Sequence, residues 1–138
     1  MARKVLSVQY DYNFALFGII SQNKDYRLCY EINKALSITL QKTHNLLVSL
    51  PKQKSNNEFP MYYFENDTGT QFFLVNNKNE KGALLPEQKV IDYLLIIKGP
   101  CPEDVKKQYE KGLKKIQIVL GIYELKPETL KSKDNLLF

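Results

Sequence analysis

A chain of 138 residues has the commonest length for one domain, and we predict a single domain over residues 1–138. Its 43% hydrophobic and 25% charged residues are typical of globular proteins and exclude a disordered chain. No stretch approaches the roughly 18 apolar residues that a membrane span needs, so we expect no membrane association and a cytoplasmic location.

The first part of the chain predicts a central strand followed by a helix. Residues 14–20 are seven consecutive apolar residues rich in aromatic and β-branched types, which predicts a buried strand. An apolar stripe at helical spacing follows over residues 25–36, with Asn23 or Asp25 able to cap its start. Residues 38–50 are weaker and predict one irregular or edge strand, and residues 51–58 predict a surface loop.

The middle of the chain predicts a β-hairpin. The segments FPMYYFE and TQFFLV flank NDTG, in which Asn66, Asp67 and Gly69 suit a tight turn. A loop over residues 76–82 and a strand over residues 91–99 follow.

The last part predicts a second helix and a closing strand. The helix has Pro102 at its first position. Its predicted buried stripe is Val105, Tyr109, Leu113 and Ile116. The closing strand covers residues 117–125.

This order of elements predicts an α+β fold. The simplest architecture is a mostly antiparallel sheet of about five or six strands with two helices on one face, an elaborated ferredoxin-like plait. The strands are apolar on both faces, since Leu94 and Ile96 oppose Leu95 and Ile97. Two helices cover only one face, so N-terminal residues, the C-terminal tail or a second subunit must cover the other. We therefore expect a homodimer or a tail that folds over the sheet.

Most catalytic and metal-binding patterns are absent from the sequence. The six glycines are scattered singly, which excludes a glycine-rich phosphate loop. One histidine, His44, and two distant cysteines, Cys29 and Cys101, are too few for a Cys/His metal site. We expect no metal and no cofactor, and we expect both cysteines to be reduced thiols in or near the core.

The segment LPEQKVIDY, residues 85–93, resembles the signature of the IPExxxVDY family of small uncharacterised proteins from Bacteroidota. Leu85 and Ile91 replace the signature isoleucine and valine. The other named residues are present as Pro86, Glu87, Asp92 and Tyr93. The strings DYNFALFGI, DYRLCYEINKAL and the final NLLF extend the resemblance over most of the chain. The family has no established activity or ligand, so the resemblance implies no function.

A polar cluster around this segment is the candidate site. It consists of Tyr26, Arg27, Glu87, Asp92 and Tyr93. The planar guanidinium of Arg27 suits carboxylates, so we predict that it pairs with Glu87 or Asp92. Such a cluster is either a buried network that fixes the crossing of loop, helix and strand, or a small ligand or catalytic pocket.

Three functions remain open from the sequence. The first is a non-enzymatic binding or scaffold domain that forms a homodimer or binds another protein. The second is a module that binds RNA weakly through the tail and the lysines of the second helix, since the net charge of +5 is mild. These candidate nucleic-acid contacts are Lys106, Lys107, Lys111, Lys114 and Lys115. The third is an enzyme that uses the Glu/Asp/Arg cluster.

Overall fold

The computed structural model describes residues 14–49 and 56–138. The strands in these residues are β1 (Ala15–Ile20), β2 (Gln41–Lys42), β3 (Leu46–Ser49), β4 (Asn56–Phe59), β5 (Met61–Glu65), β6 (Gln71–Asn76), β7 (Lys78–Asn79), β8 (Gly82–Ala83), β9 (Tyr93–Lys98) and β10 (Gly121–Leu125). The helices are α1 (Asp25–Leu36) and α2 (Glu103–Lys114), and short 3-10 turns cover Pro86–Gln88, Pro127–Thr129 and Lys133–Leu136.

Six strands form the main sheet, in the order β10-β1-β9-β6-β5-β2, and every neighbouring pair is antiparallel. Helix α1 lies between β1 and β6 in the chain, and α2 lies between β9 and β10. The order β10-β1-β9-β6 is that of a ferredoxin-like plait, which β5 and β2 extend at one side. The predicted fold class is therefore confirmed.

One face of the sheet is covered by the two helices. Leu28, Cys29 and Ile32 of α1 and Leu113 of α2 pack in one buried cluster with side chains from the sheet. The sheet contributes Phe17, Ile19, Tyr62, Phe72, Leu74, Tyr93, Leu95 and Ile97. The predicted stripe of α2 is only partly correct, because Val105 and Tyr109 are half-buried rather than buried.

The second face is covered by three other segments of the same chain. Strands β3 and β4 pair with each other and contribute Leu46, Val48 and Phe59 to the second buried cluster. The segment of residues 84–91 and the C-terminal segment of residues 127–138 contribute the rest. These are Leu84, Leu85, Ile91, Leu130 and Leu136. The expected tail over the sheet is confirmed, and no second subunit is needed to cover this face.

The hairpin between β5 and β6 is confirmed with its turn chemistry. The side-chain oxygen of Asn66 accepts the backbone N–H groups of Thr68 and Thr70 at 3.0 and 2.9 Å. Gly69 has a φ of 84°, the left-handed conformation that favours glycine. These local bonds fix the register of the two strands.

Four predicted element bounds are corrected. Neither Asn23 nor Asp25 caps α1, because Lys24 occupies that position and the Asp25 carboxylate accepts the N–H of Tyr26 instead. Pro102 precedes α2 rather than beginning it. The predicted loop over residues 51–58 includes part of β4, and its residues 51–55 lie outside the described residues. The closing strand is shorter than predicted and begins at Gly121.

Candidate functional site

The structure does not bring the predicted polar cluster together. The Arg27 side chain is 57% exposed, and its Nε lies 3.5 Å from Oε2 of Glu31, one turn further along α1. Leu28 and Ile32 occupy the buried side of the helix, which leaves Arg27 and Tyr26 exposed to solvent. The prediction that Arg27 pairs with Glu87 or Asp92 is therefore wrong.

Glu87 instead fixes the C-terminal segment. Its two carboxylate oxygens accept the backbone N–H and the hydroxyl of Ser132, at 2.9 and 2.7 Å. Burial alone would raise the pKa of this carboxyl, but the hydrogen bonds from Ser132 and from neighbouring backbone N–H groups together lower the pKa. Glu87 thus acts as a structural contact between the 3-10 turn before β9 and the end of the chain.

Asp92 and Tyr93 are the two members of the predicted cluster that bond to the same segment, the connection between β1 and α1. Asp92 Oδ2 accepts the N–H of Ser21 at 3.0 Å, and its Oδ1 lies 3.1 Å from Nζ of Lys78. The Tyr93 hydroxyl donates to the carbonyl oxygen of Asn23, and burial raises the pKa of Tyr93 to about 12. Both residues tie the β1–α1 connection to the start of β9.

The lysines of α2 are partly neutralised by neighbouring glutamates. Lys106 Nζ lies 3.0 Å from Glu103 and 2.6 Å from Glu124, and Lys114 Nζ lies 3.4 Å from Glu110. The others, Lys107, Lys111 and Lys115, are exposed, and no ion pair with a described residue involves them. Lysines near the end of a helix also complement its negative pole. This distribution is that of a solvated helix face.

The two cysteines lack the features of reactive thiols. Both are free, Cys29 is buried and Cys101 is half-buried. Burial raises the pKa of Cys29 to about 11, and burial also raises the pKa of Cys101. A thiolate is the nucleophile in cysteine chemistry, and raised pKa values disfavour the thiolate form.

Within residues 14–49 and 56–138 no three His, Cys, Asp or Glu side chains are grouped as metal ligands, and neither helix has the length and apolarity of a membrane span.

The two edges of the main sheet differ in length and chemistry. At one edge, β2 has only two residues, Gln41 and Lys42, and both are polar and exposed. At the other edge, β10 has five residues and pairs only with β1 among the described strands. Short, charged edges resist further strand pairing, whereas a longer edge presents unpaired N–H and C=O groups. Within residues 14–49 and 56–138, the open edge of the sheet is therefore β10.

Apolar side chains accompany this open edge. Tyr123 is 52% exposed and Leu120 is 64% exposed. A Cβ atom placed on Gly121 would lie 3.2 Å from Cε2 of Tyr123 and 3.6 Å from Cδ1 of Ile20, so the tyrosine ring lies across Gly121 beside Ile20. We call the outer backbone of β10 with Leu120, Tyr123 and Ile20 the edge surface.

The C-terminal end of the edge surface adjoins an open cleft of about 440 Å³. Glu103, Lys106 and Glu124 line it, and Lys106 pairs with both glutamates. Because Lys106 belongs to α2 and Glu124 to β10, this ion pair fixes the helix against the edge strand. The cleft therefore lies where α2 is held against the edge strand.

Sequence reasoning identified the strand that became β10 but not its place at the edge. The pattern of a strand shows which residues are apolar, whereas strand order depends on long-range pairing.

Comparison of the chain with protein-family models, curated proteins and solved structures gave no match. The resemblance of residues 85–93 to the IPExxxVDY signature therefore stays a prediction.

Proposed function

We propose that the chain is a non-enzymatic binding domain that recruits a protein partner by strand addition at the edge surface. The observation that carries this proposal is the open edge of β10, flanked by the exposed side chains of Leu120 and Tyr123. In strand addition, main-chain hydrogen bonds provide affinity and the alternate side chains provide specificity.

The chemistry of the edge surface suits a protein partner. Tyrosine is enriched in protein interfaces because it buries a large ring at low entropic cost and keeps a polar hydroxyl. Glu124, the charged residue of β10, is held by Lys106 at 2.6 Å and is therefore directed to α2. A partner strand thus meets backbone groups and apolar side chains rather than an unpaired charge.

The other two functions have less support. An enzyme based on the polar cluster needs Arg27 beside Glu87 or Asp92, and these residues bond elsewhere. An RNA-binding module needs a dense basic surface, whereas Lys106 and Lys114 are paired with glutamates.

We place the protein in the cytoplasm because its free thiols suit a reducing compartment.

A peptide-display experiment tests the proposed function. Random extended peptides are selected on the wild-type protein, and the binding of selected peptides is compared with their binding to Tyr123→Lys. The matched control is Tyr30→Lys, because Tyr30 is a tyrosine of similar exposure, 60%, on α1. We expect Tyr123→Lys to weaken binding at least tenfold and Tyr30→Lys to leave it unchanged. Equal binding to all three proteins would contradict the proposal.

A further inference from the structure

We infer that the partner of the edge surface is a second copy of this chain, joined by antiparallel pairing of β10 with β10 about a two-fold axis. The inference rests on the proposed function and names its partner. Such pairing joins the two six-stranded sheets into one continuous sheet. It also satisfies the outer backbone groups of both edge strands at once, as a self-complementary two-fold interface requires.

The length of β10 determines the register of this pairing. The strand covers Gly121–Leu125, so its central residue is Tyr123. An antiparallel copy overlaps all five residues only when the two-fold axis passes beside Tyr123. In that register Tyr123 lies opposite its own copy, Gly121 lies opposite Leu125, and Ile122 lies opposite Glu124.

The side chains of β10 are compatible with this register. Leu125 packs against the cluster under the C-terminal segment and Ile122 against the cluster under the helices, so Tyr123 shares the face of Leu125. On that face two tyrosine side chains flank the axis, and each ring lies across Gly121 of its own strand, next to the partner's leucine. Placing the axis at Glu124 instead would oppose two carboxylates, which is destabilising.

The charges beside the edge also permit self-association. The chain as a whole has a net charge of +5, which opposes the approach of two copies. The border of the edge surface carries both signs, with Lys106 and Lys126 among Glu103, Glu124 and Glu128. The local charges therefore do not add to the repulsion between two copies at this edge, whereas β2 at the other edge has only two residues, one of them a lysine.

Light scattering of the full chain tests the inference first. We expect the wild-type protein to reach twice the 16.1 kDa mass of one chain as its concentration rises. Tyr123→Lys places two like charges at the axis and should weaken the dimer at least tenfold, whereas Tyr30→Lys should dimerise as the wild type does. A wild type that stays monomeric at millimolar concentration, or a dimer that is equally stable in Tyr123→Lys, would overturn the inference.

Disulfide trapping tests the register independently of any loss of stability. Residues directly opposite in an antiparallel pair have Cβ atoms about 4.5–5.5 Å apart, close to the range that a disulfide spans. We expect Tyr123→Cys to form a covalent dimer on mild oxidation. Tyr30→Cys is the control for random collisions and for linkage through the native thiols. Equal crosslinking of the two variants would overturn the register.

These outcomes separate the inference from the proposed function. A monomeric wild type whose selected peptides still lose binding in Tyr123→Lys would reject the second copy as partner and retain strand addition at β10. A dimer that is unaffected by Tyr123→Lys, with peptide binding that is also unaffected, would reject both.

Discussion

The side-chain oxygen of Asn77 accepts the backbone N–H of Leu85 at 2.8 Å in the buried layer on the second face of the sheet. The Nδ2 of the same amide donates to the carbonyl oxygens of Gln88 and Ile91, at 3.0 and 2.8 Å. One fully buried asparagine therefore holds the segment of residues 84–91, which overlaps the residues 85–93 that resemble a family signature. This network positions Leu85 and Ile91 in the core.

Replacement of two buried asparagines by leucine should have opposite effects. Asn77→Leu leaves the buried N–H of Leu85 without its partner, and we expect a loss of about 3 kcal/mol in the free energy of unfolding. Asn57 is 2% exposed, yet neither its Oδ1 nor its Nδ2 has a hydrogen-bond partner among the described residues. Asn57→Leu should therefore be neutral or stabilising by about 1 kcal/mol. Urea unfolding measures both, and a large loss in Asn57→Leu would contradict the assignment.

The folded chain should lose stability at alkaline pH in a way that depends on Cys29. Burial raises the pKa of this thiol from 9.0 to about 11. The unfolded chain therefore releases this proton at lower pH than the folded chain, so the contribution is complete below pH 9 and is lost between pH 9 and about 11. We expect the difference in Tm between the wild type and Cys29→Ala to shrink over this interval. A difference that is constant from pH 8 to 11 would contradict the expectation.

Arg27 and Asp92 should contribute independently to stability. Arg27 makes an exposed ion pair with Glu31, and such pairs contribute only about 0.3–0.5 kcal/mol. Asp92→Ala removes the partner of the Ser21 N–H and should cost about 1–2 kcal/mol. The two residues share no hydrogen bond or ion pair, so the losses in the double variant should add. A coupling energy above about 0.5 kcal/mol in thermal or urea unfolding would show a link between them.

The C-terminal segment should be an integral part of the core. Leu136 is fully buried against the second face, and Lys98 Nζ donates to the carbonyl oxygens of Leu136 and Phe138, at 3.1 and 2.9 Å. We expect Leu136→Ala to cost about 2–5 kcal/mol and the half-buried Leu137→Ala clearly less. Urea unfolding compares the two variants. Equal small losses would indicate that the segment does not pack on the sheet.

Local chemistry explains what the sequence predicted well. The β5–β6 hairpin follows from Asn66 and Gly69, whose bonds and backbone conformation lie within five residues. Both helices follow from stripes of apolar residues at helical spacing, and the order of strands and helices was sufficient for the plait. These features depend on neighbours in the chain, which a sequence pattern records directly.

The mistakes have two origins, long-range packing and a local ion pair that the interpretation of the sequence overlooked. Nothing in the weak pattern of residues 38–50 shows that β3 pairs with β4 and covers the sheet. The predicted ion-pair partners of Arg27 were distant carboxylates, but its partner is Glu31, four residues further along the same helix. The exposed edge of β10 depends on strand order, which only the folded chain determines. The candidate functional surface was therefore the part least accessible from sequence.

Amide hydrogen exchange measured across a range of protein concentrations tests the role of β10 most directly. If the edge surface pairs with a second copy, the outward amides of Gly121–Leu125 should become protected as the concentration rises, and the amides of β2 should exchange at a constant rate. The same protection should be absent in Tyr123→Lys and present in Tyr30→Lys. Exchange in β10 that is independent of concentration, or protection that develops at β2 instead, would contradict the account.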